Sequence, residues 1–571
     1  MPSIAAAGTG RRLPNVWDVA ALLCVVGALV AVARAAQGTF VPIEMLGQPE
    51  ISLDPENLPG YALRTTMRMF AALAASLAFT FTYATLAAKS RRAGLIMIPL
   101  LDILQSVPIL GFLTFTTAFF MGLFPGRVFG LELAAIFAIF TSQAWNMAFS
   151  FHQSLTTLPG DLEEAARGFR LTAWQRFWRL EVPFAMPGLV WNAMLSMSAG
   201  WFFVVASEAI TLGERSWKLP GIGSYVALAL ERRDIGAVFW AILAMLVVII
   251  AYDQLLFRPL VAWSGRFKFE TTAGADAEDP WMLALLRRTH VLRVGGDMLG
   301  AAFVAFTGLR LGRPPRAATG RAKPGGTGDV VFAGIVGLGV AWAVWRIGVY
   351  VAAVLSWADV GEALALGALT LLRVALLMVL AAVIWVPVGV WLGLRPAWAR
   401  RVQPLAQFLA AFPANLLFPP FVVVIVHFQL NTDVWLTPLM VLGTQWYILF
   451  NVIAGAAAFP GDLREAAANF RIGGLLWWRR VCLPGIMPYL LTGMMTASGG
   501  SWNAAIVSEV ASWGETKLAA HGLGAYIAQA TDAGNFQRVV LGVVVMSLYV
   551  LACNRLVWRP LHAHASRRAT P

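Results

Sequence analysis

The sequence predicts an all-α protein that crosses a membrane many times, built from two six-helix halves in parallel repeat. Three observations carry that expectation. Of the 571 residues, 59% are hydrophobic and only 13% are charged, about half the charged share of an average soluble domain. Several apolar stretches exceed the roughly 20 residues a helix needs to cross a bilayer. And one polar passage is written twice: PGDLEEAARGFRLTAWQRFWRLEVPFAMPG from Pro159, and PGDLREAAANFRIGGLLWWRRVCLPGIMPY from Pro460.

Hydropathy places twelve spans, six in each half. They lie near residues 17–36, 65–88, 93–124, 129–151, 184–210 and 236–262, then 328–350, 364–394, 402–430, 434–457, 485–511 and 536–559. The first starts near Trp17. It is too long for a signal-peptide core and lacks a small-residue cleavage site, so it reads as a retained span. The third span of each half is long and broken by proline, which predicts a kink or a partly interfacial course.

The net charge of +13 does not point to nucleic acid, because the basic residues gather in alternate short loops as membrane orientation requires. Arg11, Arg12, Lys89, Arg91, Arg92, Arg395, Arg400, Arg401, Arg567 and Arg568 all fall on one side if both termini are cytoplasmic. The acidic loop 37–64, with Glu44, Glu50, Asp54 and Glu56, then faces outward, and loops 152–183 and 458–484 face the cytoplasm. One outer stretch, 211–235, runs against the rule with Arg215, Lys218, Arg232 and Arg233. Three cysteines without a C-x-x-C pair, and six histidines in no ligand-like cluster, indicate neither a disulfide framework nor a metal site.

The repeat extends past the polar loop. Glu164 and Glu465 stand 301 positions apart (465 − 164), an offset shared by Pro183 and Pro484, Ser207-Glu208 and Ser508-Glu509, and Tyr225 and Tyr526. Arg68 and Arg373 stand 305 apart (373 − 68), as do Pro108 and Pro413. A four-residue deletion in the second copy accounts for the shift. An even number of spans separates equivalent points, so the halves run parallel, which implies a pseudo-two-fold axis along the membrane normal. The halves are 1–263 and 328–571. Residues 264–327 join them as a cytoplasmic linker, whose segment Trp281–Leu309 reads as an interfacial helix or as part of a disordered tether.

Within each polar loop, Asp161 is placed to cap a helix with Glu164 three residues on, and Asp462 with Glu465 repeats the spacing. Leu162, Ala165, Ala166 and Phe169 share one helical face, as do Leu463, Ala466, Ala467 and Phe470. Gly168 and Asn469 are residues that tolerate a left-handed stop. The apolar knob either packs beneath neighbouring spans or docks two equivalent cytosolic partners.

Glu164-Ala165-Ala166 and Glu465-Ala466-Ala467, each followed at a fixed distance by proline (Pro183, Pro484), resemble the loop of binding-protein-dependent ABC importer permeases. LLDILQSVPILGF from Leu100, GIGSYV from Gly221 and GLGAYI from Gly522 are similar to segments of the nitrate, sulfonate, taurine and bicarbonate group. The resemblance covers roughly 65–262 and 370–561. It implies a fusion of two permease halves in a bacterial inner membrane, each with a coupling helix seated on one of two cytosolic ATPase subunits. A solute-binding protein is a further partner of this kind of importer. Asn469 departs from the glycine usual at its position. No lysine follows a glycine, so the chain has no phosphate-binding P-loop; ATP and magnesium would be bound by the partner, and the chain itself needs no cofactor.

For the pathway, Ser207, Glu208, Ser508 and Glu509 fall near the outer ends of their spans, where an acid either lines the route or meets water. Trp201 and Trp502 recur in the fifth and eleventh spans as packing or gate, with Asn503 beside the latter. Asp102 and Gln407 need polar partners within the third spans, and Arg68 and Arg373 are candidates. The function expected is therefore the membrane subunit of an ATP-driven importer for a small solute, of organic or inorganic anion type. Its rivals are a self-contained secondary transporter or channel, and a scaffold that recruits an ATPase.

Overall fold

The computed structural model describes residues 51–107, 109–212, 215–267, 289–312, 327–412, 414–457, 459, 461–513, 516–561 and 564–565, with 39, 41–43 and scattered positions between 18 and 34. Much of the expected first span, the basic residues at both chain ends, Pro108, Pro413 and most of the linker lie outside them.

The first half runs α1 (Leu58–Lys89), α2 (Arg91–Ser106), α3 (Ile109–Leu123), α4 (Val128–Thr156), α5 (Gly160–Gly168), α6 (Ala173–Arg176), α7 (Val182–Glu208), strands β1 (Ala209–Leu212) and β2 (Arg215–Lys218), α8 (Ile222–Glu231), α9 (Ile235–Tyr252) and α10 (Arg258–Ser264). The linker contributes α11 (His290–Gly308), inside the stretch expected to be helical. The second half runs α12 (Thr327–Ala352), α13 (Trp357–Gly393), α14 (Pro396–Ala411), α15 (Phe418–His427), α16 (Thr432–Trp435), α17 (Gln445–Ala457), α18 (Gly461–Asn469), α19 (Gly474–Trp477), α20 (Leu483–Ser508), β3 (Val510–Trp513), β4 (Thr516–Ala519), α21 (Leu523–Asp532) and α22 (Phe536–Cys553).

Among the described residues, seven helices are long and apolar enough to cross a membrane, or nine if two bent pairs, Ala173–Glu208 and Thr432–Ala457, each count as one. The breaks expected in the third spans are present: each consists of shorter helices, Arg91–Ser106 then Ile109–Leu123, and Pro396–Ala411 then Phe418–His427. Val107 and Phe412 are extended there, as a residue before proline prefers.

Prolines also set the bends. Four π-helical turns, Phe177–Glu181, Asp253–Phe257, Trp478–Cys482 and Asn554–Trp558, each end two residues before a proline (Pro183, Pro259, Pro484, Pro560). Proline offers no amide to the carbonyl four residues back and its ring crowds that carbonyl; a widened turn relieves both defects.

A correction concerns the ends of the fifth and eleventh spans. The helices stop at Glu208 and Ser508, not at 210 and 511, and the chain folds back as two antiparallel hairpins. Ala209 pairs with Lys218 in the first, and Val510 with Ala519 in the second.

Packing groups the chain into two compact units. One comprises 1–38, 153–191 and 251–321; the other comprises 39–152, 192–250 and 322–571. In the second unit a core of α13, α17, α20, α21 and α22 buries Met378, Ile448, Ile486, Trp502 and Met546. The two repeats meet inside this unit. The Ile109 amide, left open at the break before α3, donates to Asn503 Oδ1 at 2.6 Å, and Phe115 contacts Phe536.

Candidate functional site

The repeated loops form the first candidate site. Helix α5 begins at Gly160, and the Pro159 carbonyl accepts from Leu162 N and Glu163 N. Pro159 is therefore the N-cap, Asp161 lies in the first turn, and no side chain caps the helix. This corrects the capping box expected at Asp161 and Glu164. Asp462 likewise lies within α18 rather than before it; its side chain is outside the described residues. A capping box does occur further on, where Thr172 and Gln175 open α6.

Both helices end alike. Arg170 N reaches Arg167 O at 2.9 Å and Leu171 N reaches Ala166 O at 3.1 Å; Arg471 N reaches Ala468 O at 3.0 Å and Ile472 N reaches Ala467 O at 2.8 Å. This pair of bonds requires the residue just before the last donor to be left-handed. That residue is Arg170 (φ 51°) and Arg471 (φ 52°), a correction to Gly168 and Asn469, which stand two residues earlier as the last residues of their helices.

The expected apolar face divides. Ala166 and Ala467 are buried, while Glu164, Ala165, Leu463 and Glu465 are exposed and Leu162 and Ala466 are intermediate. Phe169 and Phe470 stand 80% and 78% exposed. Full burial of such a ring is worth about 1.5–3 kcal/mol, so two solvated rings at matching positions leave that energy unused in the isolated chain.

Glu163, which periodicity gave no reason to single out, organises the first loop. It pairs with Arg176 at 2.6 Å and, at 3.5 Å, with Arg167; Arg176 also reaches Glu181 at 2.9 Å. Its counterpart is Arg464, so this bracing belongs to one copy. The linker braces the same copy: Trp174 Nε1 donates to Phe306 O at 2.8 Å and Gln175 Nε2 to Gly308 O at 2.9 Å. Trp178 packs edge-on against Phe303 and Phe306.

The second candidate site is a buried ion-pair node, present in each half. Arg68 grips Glu132 with two bonds, Nε to Oε2 at 2.6 Å and Nη2 to Oε1 at 2.7 Å. Its Nη1 reaches Glu208 Oε1 at 2.7 Å and Pro220 O at 3.0 Å. Glu208 is fully buried and accepts in addition from Thr65 Oγ1 and Gly223 N, both at 2.7 Å. In the second half Arg373 reaches Asp433 at 2.9 Å and Glu509 at 3.2 Å. Glu509 accepts from Thr370 Oγ1 at 2.9 Å and Ala525 N at 3.0 Å. Where Pro220 offers Arg68 a carbonyl, His521 instead offers Asp433 an amide, at 2.7 Å. Proline cannot make that bond.

Arg68 and Arg373 are thus committed to Glu132, Glu208, Asp433 and Glu509; the side chains of Asp102 and Gln407 are outside the described residues. Sequence reading singled out Arg68, Glu208, Arg373 and Glu509 but missed Glu132, Asp433, Thr65 and Thr370. The signal was present as T-x-x-R at 65–68 and 370–373, and as an acid at both 132 and 433. Because Glu132 and Asp433 carry the 301 offset (433 − 132), the four-residue deletion falls between Pro108 and Glu132.

Among the other pathway candidates, Trp201 and Trp502 are buried, Trp502 stacking on Tyr549 with centroids 6.1 Å apart. Ser207 and Ser508 donate back to Val204 O and Ala504 O along their own helices. Asn503 joins the two repeats through Ile109.

The glycine motifs explain themselves at this node. A Cβ on Gly221 or Gly522 would run into the Glu208 or Glu509 carboxylate. Gly522→Ala is therefore expected to cost about 1–3 kcal/mol through forced displacement, read as a lower melting temperature of the purified chain. An unchanged melt would mean that the carboxylate is not held against this backbone.

Residues 78–257 and 385–559 both match the family described as binding-protein-dependent transport system inner membrane component. The chain is similar to the bicarbonate transport system permease protein CmpB of Synechococcus elongatus, 30% identical over 188 residues, which is 33% of this chain and 64% of that protein. It is 26% identical over 190 residues to the nitrate import permease protein NrtB of Leptolyngbya laminosa, again 33% and 64%. It is 32% identical over 174 residues to the glycine betaine/carnitine transport permease protein GbuB of Listeria monocytogenes, 29% and 54%. The matches span just under two thirds of the first two relatives and about half of the third.

Proposed function

The chain belongs to the family of binding-protein-dependent transport system inner membrane components, and from that premise we propose that it forms the transmembrane part of an ATP-driven importer, two permease halves fused in one polypeptide. The observation that carries this reading is the duplicated loop. Each family-matched segment holds a short helix, a left-handed arginine and an exposed phenylalanine, Phe169 in one and Phe470 in the other. Two copies of one docking part call for two copies of one partner, a cytosolic ATPase subunit that binds ATP and magnesium.

On this reading both termini and the linker are cytoplasmic. ATP binding draws the docked helices together, and the spans that follow, Val182–Glu208 and Leu483–Ser508, carry the motion toward the outer ends. The buried nodes hold Glu208 and Glu509 as structural locks in each half rather than as solute ligands. The solute is small; the relatives named for bicarbonate and nitrate favour an anion, delivered by a solute-binding protein.

The test is reconstitution of the full chain in proteoliposomes with its cytosolic ATPase partner. Uptake of labelled bicarbonate or nitrate should require internal or external ATP on the ATPase side and be indifferent to collapse of ion gradients. Uptake driven by an ion gradient without the ATPase would identify a secondary transporter instead. ATPase binding with no solute movement, across every solute tried, would identify a scaffold.

A further inference from the structure

The linker helix α11 is finished by the first repeated loop and left bare along the rest of its length. The last carbonyls of a helix have no amides of their own to meet. Here the loop supplies the donors: Trp174 Nε1 to Phe306 O, Gln175 Nε2 to Gly308 O, and Trp174 N to Leu311 O at 3.3 Å. The second loop carries Leu475 and Leu476 at the positions of Trp174 and Gln175, and a leucine side chain donates nothing. The linker can therefore grip the first loop but not the second in this way.

Among the described side chains of α11 only Thr307 is buried. Met298, Leu299 and Val304 stand 71%, 74% and 63% exposed, and Phe303 is still 52% exposed beside Trp178. Helical spacing puts His290, Arg293 and Asp297 on one side of the helix, and Met298, Leu299, Ala302 and Phe306 on the other. The apolar side faces no described part of the chain over most of its length.

Charge, length and connectivity name what covers it. Between positions 281 and 323 the sequence holds eight Lys and Arg against one acid, Asp297, with arginines at both ends of the helix, Arg288 and Arg310. The surface that meets this segment is therefore anionic. At 19 residues the helix is about 28 Å long, but a crossing here would put the two repeated loops on opposite sides of the membrane. It must leave by the side it entered. The apolar spans Ile235–Ser264 and Gly334–Ala352 flank the linker in the chain, so a bilayer surface is within covalent reach. An amphipathic helix with basic flanks that does not cross lies at the boundary of headgroups and acyl chains. We propose that α11 is seated in the cytoplasmic surface of the membrane, its apolar side among acyl chains and its flanking arginines on anionic phospholipid, and that it ties the first loop alone to the bilayer. The side of the membrane rests on the reading above; the seating itself does not.

The test uses the full chain in nanodiscs, its three native cysteines changed to alanine and Ala302→Cys labelled with bimane. The nanodiscs hold phosphatidylcholine and phosphatidylglycerol, with or without a lipid bearing a nitroxide on a shallow acyl carbon. The nitroxide lipid should quench the label, and acrylamide in the buffer should reach it far less than it reaches free bimane-cysteine. Met298→Asp with Leu299→Asp should reverse both effects. Arg310→Gln with Arg313→Gln should move the seated-to-free ratio about thirtyfold toward water, and omitting phosphatidylglycerol should move it the same way. Both aspartate substitutions fall on exposed side chains, so that variant should keep the wild-type elution profile, which separates lost seating from lost structure. In the same variant, amide exchange should rise across 160–176 and stay unchanged across 461–477. A label as open to acrylamide as the free dye, equal seating without phosphatidylglycerol, protection that appears only once an ATPase is added, or equal exchange changes in the two loops would each overturn the proposal. The lipid readouts involve neither ATP nor transport, so they succeed or fail apart from the docking reading.

Discussion

Arg68→Met is expected to be the most damaging single substitution in the chain, lowering stability by about 3–5 kcal/mol, the usual result of stripping one partner from a buried ion pair. Methionine fills much of the arginine's volume, so packing is largely spared. What remains is Glu132 and Glu208, with side chains 9% and 0% exposed, stripped of the guanidinium they share. The second half provides the internal control. Arg373→Met removes the same type of group, but Asp433 is 34% exposed at its side chain and keeps its bonds to the His521 amide and ring. Its loss should therefore be smaller, by 1 kcal/mol or more on the same scale. Thermal unfolding of the purified full chain in detergent reads both. Equal shifts would show that burial does not set the strength of the two nodes.

The comparison also shows what a sequence carries and what it withholds. Apolar length placed seven membrane-crossing helices close to their observed positions, because burial in lipid demands little beyond length and hydropathy. The π-helical turns are equally written in the chain, each by a proline two residues on. The hairpins after Glu208 and Ser508 are not. AITL and VASW are too short to show alternation, and it is the node that ends the helix there: Leu219 N and Ala520 N fold back onto the Glu208 and Glu509 carbonyls. The node itself was half legible. A repeated Arg and a repeated Glu are visible as letters, but their side-chain partners come from 60 to 143 positions away, and spacing carries no information at that range.

The docking loops erred in a more local way. Asp161 and Glu164 satisfy the capping-box pattern, yet Pro159 begins the helix two residues sooner, since its carbonyl is already accepting the first intrahelical bonds. The stop is displaced the other way, two residues later than expected. A helix running through Gly168 and Asn469 needs its left-handed residue at 170 and 471, where both copies carry arginine in place of the easier glycine. A left-handed non-glycine residue costs about 1 kcal/mol. Under the docking reading proposed above, these repeated arginine turns and the neighbouring exposed rings form the surface that meets the partner.

Phe169→Asp and Phe470→Asp test that surface most sharply. Each ring is about four-fifths exposed, and substitutions at such positions usually change stability by no more than about 0.5 kcal/mol. Melting temperature and expression should therefore match wild type. Against a partner, the same ring is an aromatic anchor whose loss typically costs about 2 kcal/mol or more, some thirtyfold in affinity. Each single variant should retain one ATPase subunit at wild-type affinity and bind the second weakly. The double variant should fail to co-purify with the ATPase and should lose ATP-dependent uptake altogether. Glu465→Ala with Ala466→Asp, on the neighbouring turn, should reproduce the single-loop defect. Normal assembly and transport in the double phenylalanine variant would place the ATPase contact elsewhere, and the exposed rings would then need another explanation.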